Sequence, residues 1–89
     1  MALYYFDIDD GQTTTIDDVG SDLAGPQAAR AEGLVVLAAI ARDLSHDGIE
    51  RTLVAMVRLG NGRPLFRVSV SLSVEELGLR VVPPLLGLV

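Results

Sequence analysis

The chain has 89 residues, with seven Lys or Arg, twelve Asp or Glu and no Cys, which is enough for one domain with a single core. Its net charge of −5 disfavours nucleic acid as a partner, because phosphate backbones are bound by dense Lys and Arg. The lack of Cys excludes disulfides and thiolate metal sites, so self-association is the expected source of extra stability in so small a chain.

No targeting or membrane segment is predicted. Residues 1–7 lack the basic region of a signal peptide and become acidic at once. The longest apolar run, residues 33–41, is far shorter than the roughly 20 residues of a membrane span. These features predict a cytoplasmic protein.

A β-hairpin is predicted at the N-terminus. Residues 3–8 form a short aromatic-rich run, Asp10-Gly11 favours a tight turn, and the β-branched residues 13–16 follow directly. Alternate side chains of the first strand are expected to share one face of the sheet: Tyr4, Phe6 and Ile8.

A polar connection, residues 17–25, and one long helix, residues 27–44, are predicted after the hairpin. Pro26 suits the first helical turn, because its missing N–H has no helical partner there. Ser21 and Asp22 are alternative caps, which leaves the start of the helix open.

The predicted helix has one apolar stripe at 100° per residue. Its members are Ala29, Gly33, Val36, Leu37, Ile40 and Leu44. A Gly on the solvent side of a helix would only cost about 1 kcal/mol relative to Ala. Its position in the stripe therefore predicts close approach of the helix to a sheet.

A second hairpin is predicted from residues 50–59 and 64–74, joined by a turn at Gly60-Asn61-Gly62. In its later strand apolar and polar side chains alternate strictly, so one face is buried and the other is solvated. The apolar set is Phe66, Val68, Val70, Leu72 and Val74, and the polar set is Arg67, Ser69, Ser71 and Ser73.

The order of elements predicts an α+β fold. It is a two-layer ββαββ sandwich over residues 1–78, with one long helix on a four-stranded antiparallel sheet. Residues 79–89 form an apolar C-terminal tail, in which Pro83-Pro84 excludes a regular helix or a central strand. We expect this tail to dock against a partner.

Five aspartates in and after the first hairpin are the strongest candidates for a metal site: Asp7, Asp9, Asp10, Asp17 and Asp18. A calcium loop that starts at Asp7 needs an oxygen ligand at its fifth position and Gly at its sixth. The chain has Gly11 and Gln12 there. The failed match favours a solvated turn, so no metal or cofactor site is predicted.

His46 is the single histidine, and it follows the predicted C-terminus of the helix. A protonated imidazole is stabilised there by the helix dipole, which is a sufficient structural reason for it. Ser45, Asp43 and Asp47 are its neighbours, but no motif makes them a nucleophile and an orienting group. We therefore predict a domain with no catalytic residue.

Apolar side chains at positions that a monomer should expose predict an interaction surface. Its members are Val35, Ala39, Val54, Met56, Leu85, Leu86 and Leu88. Arg58 and Arg67 on the outer face of the sheet are either a docking patch for an acidic partner or, more commonly, solvated charges. A second copy of the chain is the simplest partner, and another protein is the alternative.

Several short segments carry a resemblance to a known family: Tyr4-Tyr5-Phe6-Asp7 before Asp10-Gly11, Asp17-Asp18 with Gly20 and Leu23, Ala28-Ala29-Arg30-Ala31-Glu32, Ile40-Ala41-Arg42-Asp43, Val57-Arg58 and Gly62-Arg63-Pro64. In these segments the chain resembles small bacterial proteins, common in rhizobia and related Alphaproteobacteria, that are classed as a domain of unknown function. The resemblance covers residues 3–77 and implies no activity, substrate or catalytic residue. The tail from Leu79 onward departs from it.

The sequence thus predicts a non-enzymatic interaction domain of unknown biological role, most simply a homodimer. One alternative is small-ligand or metal binding through the acidic first hairpin. Another is an antitoxin-like regulatory module, which would need the arginines of the second hairpin to gather into one patch.

Overall fold

A computed structural model of the chain describes residues 2–44, 50–75 and 77–78. It has one helix packed on an antiparallel sheet, which confirms the predicted α+β class. The elements in chain order are β1 (Ala2–Asp9), β2 (Thr14–Thr15), β3 (Ser21–Leu23), α1 (Pro26–Leu44), β4 (Arg51–Leu59) and β5 (Pro64–Leu72).

The sheet has five strands, in the order β2-β1-β4-β5, with β3 also paired to β1. One edge of β1 pairs with β4, and the other is shared by β2 near Ile8 and by β3 near Tyr4. The predicted ββαββ layout is broadly matched, and the fifth strand is the short β3, which lies in what was predicted as a polar connection. Three residues are too few to show an alternating pattern, and β3 is fixed by its pairing with β1.

The first hairpin is confirmed. Gly11 has φ of 93°, as the Asp-Gly turn predicts, and the Asp10 N–H donates to the Thr13 carbonyl at 3.1 Å. Tyr4 and Phe6 are buried on the face that meets α1. Tyr4 and Phe6 therefore share one face of the sheet, as the alternation along β1 predicts.

The helix begins at Pro26, one residue before the predicted range, with the proline in its first turn as expected. The carbonyl of Gly25 accepts the first helical hydrogen bond, from the Ala29 N–H at 3.0 Å. Ser21 and Asp22 lie in β3, so neither caps the helix.

The predicted stripe of α1 faces the sheet. Ala29, Gly33 and Leu37 are buried, and Leu37 contacts the buried side chains of Leu53 and Ala55 on β4. A Cβ atom on Gly33 would lie 3.3 Å from Val68 Cγ2 on β5 and 3.5 Å from Val57 Cγ2 on β4. The helix therefore lies over the line between β4 and β5, and Gly33 permits its close approach.

Gly33→Leu is expected to lower the free energy of unfolding by about 2 kcal/mol, because extra carbons would enter a packed space. Gln27→Leu is a matched control, since Gln27 is exposed on the same helix. Chemical denaturation of both variants measures the difference. Equal stabilities would contradict the close approach at Gly33.

The second hairpin pairs β4 with β5 and forms most of the remaining core. Leu53, Ala55 and Val57 point to the helix and are buried, while Val54 and Met56 point to the other face. β5 ends at Leu72 rather than at the predicted Val74, because Leu72 lies opposite Arg51, the first residue of β4. Residues after Leu72 therefore have no paired residue on β4, although the alternation of apolar and polar side chains continues to Val74.

Two predictions lie outside the described residues. His46 at the end of the helix is one of them, and the apolar tail, residues 79–89, is the other.

Candidate interaction surface

The aspartates of the first turn bind backbone N–H groups of the turn itself. Asp9 Oδ1 accepts from the Gly11 N–H at 2.9 Å. Asp10 Oδ1 accepts from the Gln12 and Thr13 N–H groups, both at 2.9 Å. Such side-chain contacts are the usual reason for Asp in a turn. In the described part of the chain, no group of three His, Cys, Asp or Glu residues is arranged to hold a metal ion.

Asp17 has a larger role, because it bridges the gap between β2 and β3 along β1. Its Oδ2 accepts from the Phe6 N–H at 3.0 Å. Its Oδ1 accepts from the Val19 and Gly20 N–H groups, each at 3.0 Å. The carboxylate thus accepts from the Phe6 N–H, which neither β2 nor β3 pairs with. It also holds the turn at Val19 and Gly20 that leads the chain into β3.

Arg58 joins this segment to β4. Its Nε donates to Asp7 Oδ2 at 2.7 Å, and its Nη2 donates to Asp7 Oδ1 at 3.2 Å and to the Asp17 carbonyl at 2.8 Å. The Asp17 N–H donates to Asp7 Oδ1 at 3.0 Å. The guanidinium also stacks 4.9 Å from the centre of the Tyr5 ring. We call Asp7, Asp17 and Arg58 the clasp.

Proton affinities in the clasp favour its charged form. The hydrogen bond from Arg58 lowers the pKa of Asp7, in spite of partial burial, and the same bond raises the pKa of Arg58. Burial opposes the charge of Asp17, but the N–H groups of Gly20, Phe6 and Val19 and the charge of Arg58 together lower its pKa. The clasp is therefore ionised near neutral pH.

The clasp ties β1, β4 and the segment before β3 together. The Asp7 and Asp17 carboxylates accept from protein donors at both oxygens, and Arg58 donates to both residues. The two carboxylates and the guanidinium thus form a closed set of hydrogen bonds within the chain. Arg58 is consequently occupied, whereas Arg67 is exposed.

An exposed apolar face runs along α1 on the side away from the sheet. Leu34 is 52% exposed and Val35 is 60% exposed, and small apolar residues surround them. A surface helix usually has charged residues on this side. We call this set the helix outer face: Ala31, Leu34, Val35, Ala38 and Ala39.

A groove lies between α1 and β5, next to the helix outer face. It has a volume of about 340 Å³ and is lined by Arg30, Ala31, Leu34, Arg67 and Val68. Its floor is apolar and its two charged residues are both arginines. Within the described ranges no acidic side chain pairs with either arginine.

The open edge of β5 borders this groove. In the sheet order β2-β1-β4-β5, β5 pairs with β4 and has no second partner among the described strands. Backbone groups of successive residues point to opposite sides of a strand in an antiparallel sheet. Every second residue of β5 therefore directs its N–H and C=O to the open side.

The hydrogen bonds at the far side of the sheet identify these residues. The Phe6 N–H points away from β4, because it donates to Asp17. Val57 lies opposite Phe6, so its groups point to β5, where Phe66 lies opposite Val57. The N–H and C=O groups of Phe66 and of every second residue after it therefore point to β4, and those of the residues in between point to the open side. We call these residues the β5 edge: Arg67, Ser69 and Ser71.

Residues 3–71 match the family model described as Domain of unknown function (DUF6894). The chain belongs to the DUF6894 family. The match extends from β1 into β5, so this DUF6894 domain includes the clasp, the groove and the β5 edge. Neither a curated protein nor a solved structure matches the chain. Within the described residues, no helix has both the length and the hydrophobicity that a membrane crossing requires.

The four predicted interaction residues that the structure describes lie on two different faces of this DUF6894 domain. Val35 and Ala39 are exposed on the helix outer face, whereas Val54 and Met56 are half-buried on the opposite face of the sheet. The sheet itself separates the two pairs. The other three, Leu85, Leu86 and Leu88, lie outside the described residues.

Sequence reasoning missed Leu34, which is the largest apolar side chain of the groove. On a helical wheel it falls at the border of the buried stripe, where either burial or exposure is consistent with the pattern. Its exposure depends on where the sheet ends, because β5 is the last strand on that side. No residue pattern in the helix alone could indicate that.

Proposed function

We propose that this DUF6894 domain is a non-enzymatic protein-interaction domain that forms a homodimer through the β5 edge and the helix outer face. The observation that carries the proposal is the open nine-residue strand β5 beside an exposed apolar helix face. Strand addition at such an edge is a common mode of protein recognition.

The composition of β5 supports pairing. Proteins usually protect an exposed edge strand with Lys, Pro, a bulge or a very short strand. β5 has its Pro at its first residue and its bulge beside that end, near Leu65. From Phe66 to Leu72 the strand is regular, and Arg67 is its one charged residue. This part of the edge therefore has little protection against a second strand.

The position of α1 favours a second copy of the same chain. Neighbouring strands are about 4.8 Å apart, and α1 lies over the line between β4 and β5. If two copies paired through β5, their helices would lie two strand spacings, about 9.6 Å, apart. Packed helices lie about 8–10 Å apart. Pairing of the strands would therefore also bring into contact the β5 flanks of the two helix outer faces, where Leu34 lies.

The remaining elements of the proposal come from the sequence. We expect a bacterial, cytoplasmic protein, and we expect the tail from residue 79 onward to add apolar contact to the dimer. Small-ligand binding by the acidic hairpin has less support, because Asp9, Asp10 and Asp17 accept backbone hydrogen bonds. An antitoxin-like module has less support too, because Arg58 is occupied by the clasp.

Ser69→Pro is expected to raise the dissociation constant of the dimer at least tenfold. Proline removes an N–H that faces the open side of β5, so the ladder to β4 keeps its bonds, while each copy loses a hydrogen bond to the other. Ser69→Ala is the matched control and should dimerise like the parent chain. Sedimentation equilibrium measures both constants. Equal dissociation constants for the two variants would count against pairing through β5.

A further inference from the structure

We infer that the two β5 strands pair antiparallel about a two-fold axis at Ser71, which places Arg67 of each copy opposite Glu75 of the other. This register rests on the proposed homodimer and goes beyond it, because many alignments of two β5 strands are conceivable. Three features of β5 and α1 select one of them.

The first feature is the alternation of faces. A shift of one residue would turn the apolar side chains of one strand to the polar face of the other. Only alignments that pair even-numbered with even-numbered residues keep Val68, Val70 and Leu72 on the helix side throughout the joined sheet. These alignments also bring together residues of the β5 edge, whose N–H and C=O groups point to the open side.

The second feature is charge. With the axis at Ser71, Arg67 lies directly opposite Glu75, and Ser69 lies opposite Ser73. With the axis one residue earlier or later, at Val70 or Leu72, Arg67 would face Ser73 or Leu77, and neither pairing joins opposite charges. Opposite charges at directly opposed positions stabilise a strand pair, and like charges destabilise it. Arg67 and Glu75 are both exposed, so each is accessible to the other copy.

The pairing would also extend the ladder beyond β4. β5 ends at Leu72, opposite Arg51, the first residue of β4, yet the alternating pattern continues through Val74. With the axis at Ser71, Val74 lies opposite Val68 on the helix side. A second copy of the strand thus provides the partner that residues 73–75 lack in the single chain.

The third feature is the size of the helix residues near the axis. Gly33 packs over Val68, and farther along both elements Leu37 and Val70 belong to one apolar cluster, so α1 runs in the same direction as β5. A helix rises about 1.5 Å per residue and a strand about 3.3 Å. Ser71 therefore corresponds to a point about two residues beyond Leu37. The residues there on the β5 side are Ala38 and Ala41, whose small side chains permit two helices to approach.

A single cysteine at position 71 tests the register, because the chain has no Cys of its own. The two Cα atoms of a directly opposed, hydrogen-bonded pair lie about 5.5 Å apart, within the range of about 4.4–6.8 Å that a disulfide spans. Ser69→Cys is the matched control on the same face. Its two copies would be four residues out of register, roughly 14 Å apart. On mild oxidation, Ser71→Cys should form the disulfide dimer at least tenfold faster than Ser69→Cys.

Charge reversal provides an independent readout. Arg67→Glu should raise the dissociation constant roughly tenfold, because two symmetric attractions become repulsions. Adding Glu75→Arg to it should restore the parent value. Both positions are exposed, so the fold should tolerate the variants, and circular dichroism checks this.

The outcomes separate the register from the dimer itself. A parent chain that stays monomeric would overturn the proposed function and the register with it. A dimeric parent chain in which Ser69→Cys links as fast as Ser71→Cys, or in which the double charge reversal fails to restore affinity, would overturn the register and leave the dimer standing.

Discussion

Asp17→Ala is expected to lower the free energy of unfolding by about 3 kcal/mol, a large loss for a single substitution. The variant leaves the N–H groups of Phe6, Val19 and Gly20 without the carboxylate that accepts them. Hydrogen bonds to a charged group are worth more than neutral ones. Loss of the carboxylate should release the segment before β3 from β1. Urea denaturation followed by circular dichroism measures the change.

The neighbouring Asp18 is the matched control for this variant. Asp18 is exposed, so Asp18→Ala should change the free energy of unfolding by less than about 0.5 kcal/mol. If both variants have similar effects, charge in this segment matters and the clasp geometry does not.

Acidification tests the same contact without a large structural change. The pKa of Asp17 is lowered in the folded chain, so its charge stabilises the fold at any pH above the unfolded value of about 3.9. This contribution is lost as the pH falls through the lowered folded pKa. Between neutral pH and pH 3, the parent chain should therefore lose more stability than Asp17→Ala. A larger loss in the variant would contradict the assigned direction.

Leu34→Lys is expected to raise the dissociation constant of the dimer about a hundredfold. The substitution removes the largest apolar side chain of the groove and adds a second positive charge near Arg30. In the homodimer both effects occur twice, once in each copy. Burying an unpaired charge at an interface is costly. Sedimentation equilibrium at several chain concentrations measures the constant.

Ala39→Lys is the control for this variant on the same helix. Ala39 is also exposed, but it lies on the flank of the helix outer face that is turned away from β5. We expect its effect on the dissociation constant to be much smaller than that of Leu34→Lys. The reverse order would mean that partners dock on the top of the helix instead of along the groove.

The long elements of this fold could be predicted from the sequence because their patterns are local. The helix stripe around Gly33, the alternation along β5 and the turn at Asp10-Gly11 each depend on residues within one element. The structure confirms them with small changes at the ends. The C-terminal end of β5 differs from the prediction because β5 pairs only as far as Arg51, the first residue of β4. The side-chain pattern of β5 alone does not contain this information.

The clasp and the groove could not be predicted in the same way. Asp17 and Arg58 are 41 positions apart in the chain, and they meet because β4 pairs with β1. In the sequence, Asp17 belongs to an acidic cluster and Arg58 to a set of scattered arginines, and neither pattern specifies that the two side chains meet. The exposure of Leu34 likewise depends on β5 being the last strand of the sheet. Long-range topology decides these features.

Light scattering of the parent chain across a range of concentrations tests the central claim most directly. We expect a mass approaching twice the 9.4 kDa of one chain as concentration rises, and a return to the mass of one chain in Leu34→Lys at the same concentration. A parent chain that keeps the mass of one chain up to the highest soluble concentration would contradict the homodimer.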